Sequence, residues 1–311
     1  MKVEIIAASM LYPATMEELE RTYDVHRMFE FRDRAAFLAP LKDRVRGIAT
    51  FGGRVDKALL EALPRLEIVA AMSIGVDHID LDAARARGIR VTNTPDVLTD
   101  DTADIALALL LALARRVVQA DKFLRAGQWL KGPLPLATKL GGLKLGVLGM
   151  GRIGEAIARR AAAMNMQVGY YNRRAKPEMP YRYYPDLLAM AKAVDVLVVT
   201  CPGGAATRHL VNLAVIEALG PQGMIVNIAR GSVIEEPALV KALVEGKLGG
   251  AGLDVFADEP RVPEALLALD NVVLTPHIGS GTHGTRRLMG QLMLDNLAAC
   301  FAGTELLTPV V

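Results

Sequence analysis

The feature that most constrains the fold is a glycine-rich turn between a short apolar run and an alanine-rich segment. Residues 145–148 read L-G-V-L, and an E-A-I-A-R-R-A-A segment follows the turn, which consists of Gly149, Met150, Gly151, Arg152, Ile153 and Gly154. In a strand–turn–helix unit, glycines at this spacing allow a sharp turn, a close approach of the backbone to a diphosphate, and tight helix–strand packing. A second apolar run follows at residues 167–171. This context favours a dinucleotide site over a glycine turn with only a structural role.

The end of the second apolar run indicates which dinucleotide is preferred. A site for NAD usually carries Asp or Glu about twenty residues after the glycines, where it binds the ribose 2′-hydroxyl. This chain instead has Asn172, Arg173 and Arg174. Two guanidinium groups would bind a 2′-phosphate through charge-assisted hydrogen bonds. The sequence therefore predicts a preference for NADP(H), with NAD(H) possible. The alternative is that the arginines belong only to a solvated turn.

Composition limits the class of protein and its partners. The 311 residues suggest two domains, and a nearly balanced formal charge of +2 argues for neither nucleic acid nor an anionic membrane as a partner, so we expect neither. The longest apolar run, at residues 105–114, is shorter than the ~20 residues of a membrane span. Two cysteines fit a reducing, cytoplasmic location, and the five scattered histidines indicate no metal site.

Apolar runs alternate with segments compatible with helices, which predicts parallel α/β sheets. In the first third of the chain, we expect strands at residues 3–8, 47–50 and 66–71, and a further strand that is ended by Pro95. From residue 144 onward, further runs lie at 194–200, 223–228, 251–255 and 272–275. Their near-continuous apolar character is typical of strands covered on both faces.

Polar residues that follow these runs are candidates for a site, because ligands bind beyond the carboxyl ends of parallel strands. They are Cys201, Pro202, Arg230, Asp254 and His277, with Glu259 shortly after the run at 251–255. Arg230 can bind a carboxylate or polarise a carbonyl, and His277 can donate a proton. Glu259 can pair with His277 and favour its protonated form. With a hydride cofactor, this set suits reduction of a 2-oxo acid, and Asp254 would hold the nicotinamide amide. Taken singly, such an arginine is more often a surface ion pair and such a histidine more often structural.

The loop after the run at 66–71 is a candidate for binding the substrate carboxylate. It reads S-I-G-V-D-H-I-D, and the backbone N–H groups of Ile74 and Gly75 can face an anion at the end of a strand. The alternative is an ordinary loop capped by Asp77. A different segment, R-A-G-Q-W-L-K-G, contains Trp129, the only tryptophan. We interpret Trp129 as a dimer contact, a pocket wall or, most simply, a packed core residue.

Six segments together resemble the D-2-hydroxyacid dehydrogenase family over nearly the whole chain. They are S-I-G-V-D-H-I-D, N-T-P-D-V-L-T-D, G-M-G-R-I-G, N-I-A-R-G-S-V-I-E-E, G-L-D-V-F-A-D-E-P and T-P-H-I-G-S. The resemblance implies catalytic roles for Arg230, Glu259 and His277, and substrate contacts from Ile74, Gly75, Arg230 and His277. It implies cofactor contacts from the glycine turn, the Asn172–Arg174 corner, Cys201, Pro202, Thr207, Ile228, Ala229, Asp254 and Gly279.

The same resemblance implies the architecture and the assembly. We expect an α/β fold of two doubly wound parallel-sheet domains, with a Rossmann dinucleotide domain inserted in a smaller flavodoxin-like substrate domain. The dinucleotide domain would span residues 98–281, and the substrate domain residues 1–97 and 282–311. Members of the family are typically homodimers joined through the dinucleotide domain.

Within the family, the chain most resembles the glyoxylate/hydroxypyruvate reductases. The C-P-G-G turn, the Asn172–Arg174 corner and the R-A-G-Q-W segment carry this likeness. We therefore expect NADPH-dependent reduction of a small 2-oxo acid to the D-2-hydroxy acid, with His277 as proton donor. The alternatives are a bulkier substrate such as 2-ketogluconate or hydroxyphenylpyruvate, a dinucleotide-sensing binding protein of the same fold, and NAD-dependent oxidation of a D-hydroxy acid.

Overall fold

The structure is a computed structural model that describes residues 2–311. The chain divides into two compact units, and the second is inserted in the first. The first unit contains the chain up to Leu98 together with Ser280–Val311, and the second is Thr99–Gly279. Within residues 2–311, no helix has both the length and the apolar character needed to cross a membrane.

Twelve strands and twelve α-helices are described between residues 2 and 311. The strands are β1 Glu4–Ala7, β2 Asp24–Arg27, β3 Gly47–Thr50, β4 Ile68–Ala71, β5 Arg90–Thr92, β6 Lys144–Leu148, β7 Gln167–Tyr171, β8 Arg182–Tyr184, β9 Val196–Val199, β10 Met224–Asn227, β11 Gly250–Leu253 and β12 Val272–Leu274. The helices are α1 Pro13–Thr22, α2 Arg34–Leu38, α3 Lys57–Glu61, α4 Leu81–Ala86, α5 Thr99–Ala114, α6 Val117–Arg125, α7 Arg152–Ala163, α8 Leu187–Ala193, α9 Leu213–Leu219, α10 Glu236–Val244, α11 Glu264–Leu267 and α12 His283–Ala302.

The first unit is built on a five-stranded sheet with the order β2-β1-β3-β4-β5. Every neighbouring pair is parallel. This 2-1-3-4-5 order is the flavodoxin-like arrangement. Strands β3 and β4 are buried along their whole length, as expected for central strands covered on both faces.

The end of the chain closes the open edge of this sheet. Asn296 of α12 is fully buried, and its side-chain oxygen accepts hydrogen bonds from the backbone N–H groups of Leu307 and Thr308, each at 3.1 Å. The segment after α12 then pairs with β5 through an antiparallel bridge between Thr92 and Pro309. The edge strand therefore does not present a row of unpaired backbone groups.

The second unit is built on a seven-stranded parallel sheet with the order β12-β11-β10-β9-β6-β7-β8. Counted from β6, this is the 3-2-1-4-5-6 order of a Rossmann domain with one strand added at the far edge. Alternate residues of β9 point to opposite faces, with Leu197 and Val199 in one core cluster and Val196 and Val198 in the other. The sheet is covered on both faces, and the predicted fold class is confirmed.

Two strands lie where the sequence carries no strand prediction. They are β2 and β8, which form the edges of their sheets. Strand β2 reads D-V-H-R and is exposed at both ends, and β8 has only three residues. Neither has the apolar run that identifies a central strand, and their pairing with the neighbouring strand determines their conformation.

Candidate active site

The second unit brings six predicted site segments to one edge of its sheet. Strands β6, β7, β9, β10, β11 and β12 are all parallel. Their carboxyl ends therefore open onto the same edge. The segments that follow them are the glycine turn, the Asn172–Arg174 corner, Cys201–Pro202, Ile228–Arg230, Asp254–Glu259 and Thr275–Gly279.

The glycine turn has the geometry that its sequence predicts. Gly149 has a φ of 104°, and a Cβ there would lie 2.6 Å from the backbone nitrogen of Cys201. Helix α7 begins at Arg152, and its N-cap Gly151 provides no side-chain cap. A Cβ at Gly151 would meet no atom within 4 Å, so the backbone faces open space at the helix start. This space and the positive end of the helix dipole fit a diphosphate.

The corner after β7 is linked directly to this turn. The side-chain oxygen of Asn172 accepts a hydrogen bond from the N–H of Met150 at 2.7 Å. Arg173 and Arg174 are exposed, and neither forms an ion pair with any residue of the described chain. Asn172 therefore fixes the position of the glycine turn, while the two guanidinium groups remain available for an anionic ligand.

The centre of the candidate site is a contact between Glu259 and His277. Oε2 of Glu259 lies 2.7 Å from Nδ1 of His277. Oε1 of the same carboxylate accepts a hydrogen bond from the N–H of Phe256 at 3.0 Å. Burial raises the pKa of the Glu259 carboxyl, but the hydrogen bond and charge of His277, the Phe256 N–H and the charge of Arg230 together hold that pKa below its ordinary value. Glu259 is therefore a carboxylate at neutral pH, and it lies within hydrogen-bonding distance of Nδ1 of His277.

His277 adopts a backbone conformation that non-glycine residues rarely have, with a φ of 53°. Asp254 supports the turn that contains it. The buried Asp254 carboxylate accepts hydrogen bonds from the Thr275 hydroxyl at 2.7 Å and from the N–H groups of Ile278 and Gly279, each at 2.8 Å. Asp254 is thus tied to the turn of His277, a contact that its predicted role at the nicotinamide amide did not include.

Arg230 follows β10 in a segment held by a buried amide. The side chain of Asn227 donates to the carbonyl of Arg230 and accepts from the N–H of Ala229, both at 3.0 Å. The Arg230 guanidinium donates to the carbonyl of Ala229 at 2.8 Å. The charge of Arg230 also lowers the pKa of Glu259, so this guanidinium acts on the carboxylate that contacts His277.

In the Cys201–Pro202 turn, the thiol has a structural role, and a backbone carbonyl accepts a hydrogen bond. Burial raises the pKa of the Cys201 thiol to about 11, so the side chain is neutral at physiological pH and is not a nucleophile. The hydroxyl of Thr207 donates to the carbonyl of Pro202 at 2.7 Å. Ile228 and Ala229 are buried where the chain leaves β10.

The predicted carboxylate-binding loop belongs to the first unit. The carbonyl of Gly75 accepts from the Ser73 hydroxyl at 2.8 Å, and the carbonyl of Ile74 accepts from the Asn93 amide at 2.9 Å. These bonds fix the conformation of the loop after β4.

One cluster has the spacing of metal ligands. Glu4, Asp24 and His26 approach one another across β1 and β2. Glu4 is already paired through one oxygen with His26 at 2.9 Å and through the other with Arg44 at 3.1 Å. These ion pairs satisfy the Glu4 carboxylate without a metal ion.

Sequence reasoning did not identify two residues that contact the site loops. Thr275 binds Asp254, and Glu236 accepts a hydrogen bond from the N–H of Ala257 at 2.9 Å. Both lie inside segments that carried the family resemblance, T-P-H-I-G-S and N-I-A-R-G-S-V-I-E-E. The second segment ends in two adjacent acids, and this pair was the sequence feature from which a role for Glu236 could have been predicted.

Comparisons with known proteins identify the family of the chain. Residues 107–279 match the family model described as "D-isomer specific 2-hydroxyacid dehydrogenase, NAD binding domain". The fold and site are those of an oxidoreductase that uses a nicotinamide dinucleotide. The chain belongs to the D-2-hydroxyacid dehydrogenase family, and the resemblance seen in the sequence is confirmed.

Relatives align over almost the whole chain. The chain is 46% identical over 313 residues to a hydroxyphenylpyruvate reductase of Plectranthus scutellarioides, covering 99% of this chain and 100% of that protein. The same values hold for glyoxylate/hydroxypyruvate reductase A of Arabidopsis thaliana. A solved structure of the NADPH-dependent glyoxylate/hydroxypyruvate reductase of Sinorhizobium meliloti, in complex with NADP and malonate, has a TM-score of 0.95 and 44% identity, and the match covers 100% of this chain and 97% of that one.

Proposed function

We propose that this protein reduces a small 2-oxo acid of the glyoxylate or hydroxypyruvate type to the D-2-hydroxy acid. The observation that carries the proposal is the 2.7 Å contact between Glu259 and His277, with the charge of Arg230 acting on the same carboxylate. A cation that can bind a carboxylate and a histidine that can donate a proton suit a keto carbon that becomes an alcohol.

In this mechanism, each residue acts at a defined atom. Because Nδ1 of His277 faces Glu259, Nε2 is the atom that gives its proton to the keto oxygen. Glu259 stabilises the charged imidazole before the transfer. Arg230 binds the carboxylate and polarises the carbonyl. The N–H groups of Ile74 and Gly75 stay, as predicted from the sequence, candidates for binding a substrate carboxylate. When bound, the reduced nicotinamide supplies the hydride.

The proposed cofactor is NADP(H), with NAD(H) as a weaker ligand. Residues 98–281 would form the dinucleotide-binding domain, and residues 1–97 and 282–311 the substrate domain. The open backbone at Gly151 and the start of α7 would hold the diphosphate, and Arg173 and Arg174 the 2′-phosphate. The Sinorhizobium meliloti relative, solved with NADP, supports this preference. Asp254 and Gly279, with the Cys201–Thr207 and Ile228–Ala229 segments, would line the nicotinamide half.

Two free thiols, Cys201 and Cys300, support a cytoplasmic location.

The first test measures turnover on substrates of increasing size. Consumption of NADPH is followed with glyoxylate, hydroxypyruvate, 2-ketogluconate and hydroxyphenylpyruvate, and then with NADH in place of NADPH. We expect the highest kcat/KM on the two small acids. Higher kcat/KM values on the two larger acids would indicate that the protein acts on a bulkier substrate. Tight binding of NADPH without turnover of any acid would indicate a dinucleotide sensor instead.

The cofactor preference depends on two adjacent arginines. Replacing both, Arg173→Ala with Arg174→Ala, removes the charge-assisted hydrogen bonds to a 2′-phosphate, for which we expect a combined loss of about 1.5–3 kcal/mol because both side chains are exposed. We expect KM for NADPH to rise about 10- to 100-fold, which corresponds to ~1.4 kcal/mol for each factor of ten. KM for NADH should change little. The control is Arg159→Ala, which removes an exposed arginine of α7. An equal rise for both cofactors would contradict the proposed role.

We also propose that two copies associate through the segment around α6. Several large apolar side chains lie exposed there, including Leu124, Trp129, Leu130 and Leu136, at 57%, 70%, 95% and 98% exposure. The exposure of Trp129 shows that it is not a core residue. Leu136 also lines a cavity of about 530 Å³ whose other lining residues are mainly apolar. Large apolar side chains exposed together in one segment are typical of a protein–protein interface, and a second copy fits the usual family assembly.

Sedimentation of the protein tests this association. We expect the wild type to have twice the mass of one chain, and the variant Leu130→Asp with Leu136→Asp to have the mass of one chain, because two charges would be buried unpaired. The matched control is Leu267→Asp, an exposed leucine at the end of α11. A monomeric wild type would refute the proposed assembly.

A further inference from the structure

Two adjacent acids at the start of α10 have no role in the chemistry described above. Glu235 is the N-cap residue of α10, and Glu236 is its first residue. Both are partly buried, and each carboxylate accepts a hydrogen bond from a backbone N–H outside its own helix. Glu235 accepts from Leu213 at the start of α9 at 3.1 Å, whereas Glu236 accepts from Ala257 at 2.9 Å. The two acids share a helix terminus but hold different segments.

The segment held by Glu236 is the turn that orients Glu259. Ala257 directly follows Phe256, whose N–H donates to Oε1 of Glu259. Two successive N–H groups of this turn are therefore bound by two different carboxylates. The second oxygen of Glu259 contacts His277. A continuous series of contacts runs from α10 through the Phe256–Ala257 backbone to Glu259 and then to the imidazole.

The same turn packs against the segment of Arg230. Gly231 has no room for a side chain, because a Cβ there would overlap the backbone of Phe256 and the nitrogen of Ala257. The Phe256–Ala257 backbone therefore contacts both the arginine segment and the Glu259 carboxylate. A shift of this turn would move Glu259 relative to both His277 and Arg230.

We propose that Glu236 is a positioning residue that holds the Phe256–Ala257 turn, and through it orients Glu259 against His277. The inference rests on the proposed reductase function for its kinetic consequences, although its effect on Glu259 is independent of turnover. The N–H of Phe256 and the contact with His277 both lower the pKa of Glu259. Without the Glu236 contact, the hydrogen bond from the Phe256 N–H and the contact with His277 both weaken, so that the pKa of Glu259 rises toward its ordinary value.

A purely structural role for Glu236 predicts a different result. An acid in the first turn of a helix stabilises that helix through its dipole, and Glu235 has nearly the same position. If that were its whole role, removing either acid would lower the stability of the protein to a similar extent. Neither change would then alter the titration of Glu259 or the pH dependence of catalysis.

The experiment compares Glu236→Ala, Glu236→Gln and the matched control Glu235→Ala. The Gln side chain retains an oxygen that can accept from Ala257, so it separates the hydrogen bond from the charge. Two readouts are independent of turnover, namely amide hydrogen exchange at Ala257 and NMR titration of the Glu259 carboxyl. The kinetic readouts are kcat, KM for the cofactor and the pH profile with glyoxylate.

For Glu236→Ala, we expect faster exchange at Ala257 and a higher pKa for Glu259. With a higher pKa, Glu259 becomes protonated and neutral at a higher pH than in the wild type. The acid limb of the kcat/KM profile should therefore move to higher pH. We expect kcat to fall about 10- to 100-fold, the range expected when a reacting group is misplaced by about 1 Å, with KM for the cofactor unchanged. Glu236→Gln should resemble the wild type, and Glu235→Ala should alter neither Glu259 nor the pH profile.

An unchanged Glu259 titration in Glu236→Ala would overturn the inference, whether or not the protein reduces glyoxylate. The same change in Glu235→Ala would also overturn it, because the effect would then belong to the helix terminus. Absence of turnover in the wild type, together with the expected Glu259 shift, would instead refute the proposed function and leave the positioning role supported.

Discussion

The candidate site depends on the contact between one carboxylate and one imidazole. Glu259 and His277 lie on different segments, and their side chains meet at 2.7 Å. The carboxylate is half-buried, so its charge costs desolvation energy, and the hydrogen bonds from Phe256 and His277 offset that cost. The contact with Nδ1 of His277 fixes the ring and leaves Nε2 as the ring atom that can give a proton. The proposed direction of the chemistry, with a proton supplied to a keto oxygen, follows from this pair.

The parallel sheet of the second unit explains why these residues meet. Glu259 follows β11, His277 follows β12, and Arg230 follows β10, and these strands are neighbours. Because all three run in one direction, the segments after them emerge at one edge. Each segment is then fixed by a buried polar group. Asn227 holds the Arg230 segment, and Asp254 holds the turn of His277, where the backbone is in a left-handed conformation. Precision at the site therefore comes from buried hydrogen bonds as much as from the strands.

The sequence contains enough information for the architecture and for the residues at the strand ends. Long apolar runs identify the central strands, and the glycine spacing of Gly149–Gly154 identifies the strand–turn–helix segment with which the Rossmann sheet begins. Edge strands β2 and β8 were not predicted, because their conformation depends on a neighbouring strand and not on an apolar pattern. The links of Asp254 to Thr275 and of Glu236 to Ala257 were not predicted either. They join residues about twenty positions apart through contacts that only the folded loops create, and no local spacing rule describes them.

A double-mutant cycle on Glu259 and His277 tests the central claim most directly. His277→Ala should lower kcat by about 10²–10⁴, the usual contribution of a positioned proton donor. If Glu259 acts through His277, then Glu259→Gln should lower kcat strongly in the wild-type background and have almost no further effect in the His277→Ala background. Two independent losses that multiply in the double variant would contradict the account, because Glu259 would then contribute to catalysis without acting on the imidazole.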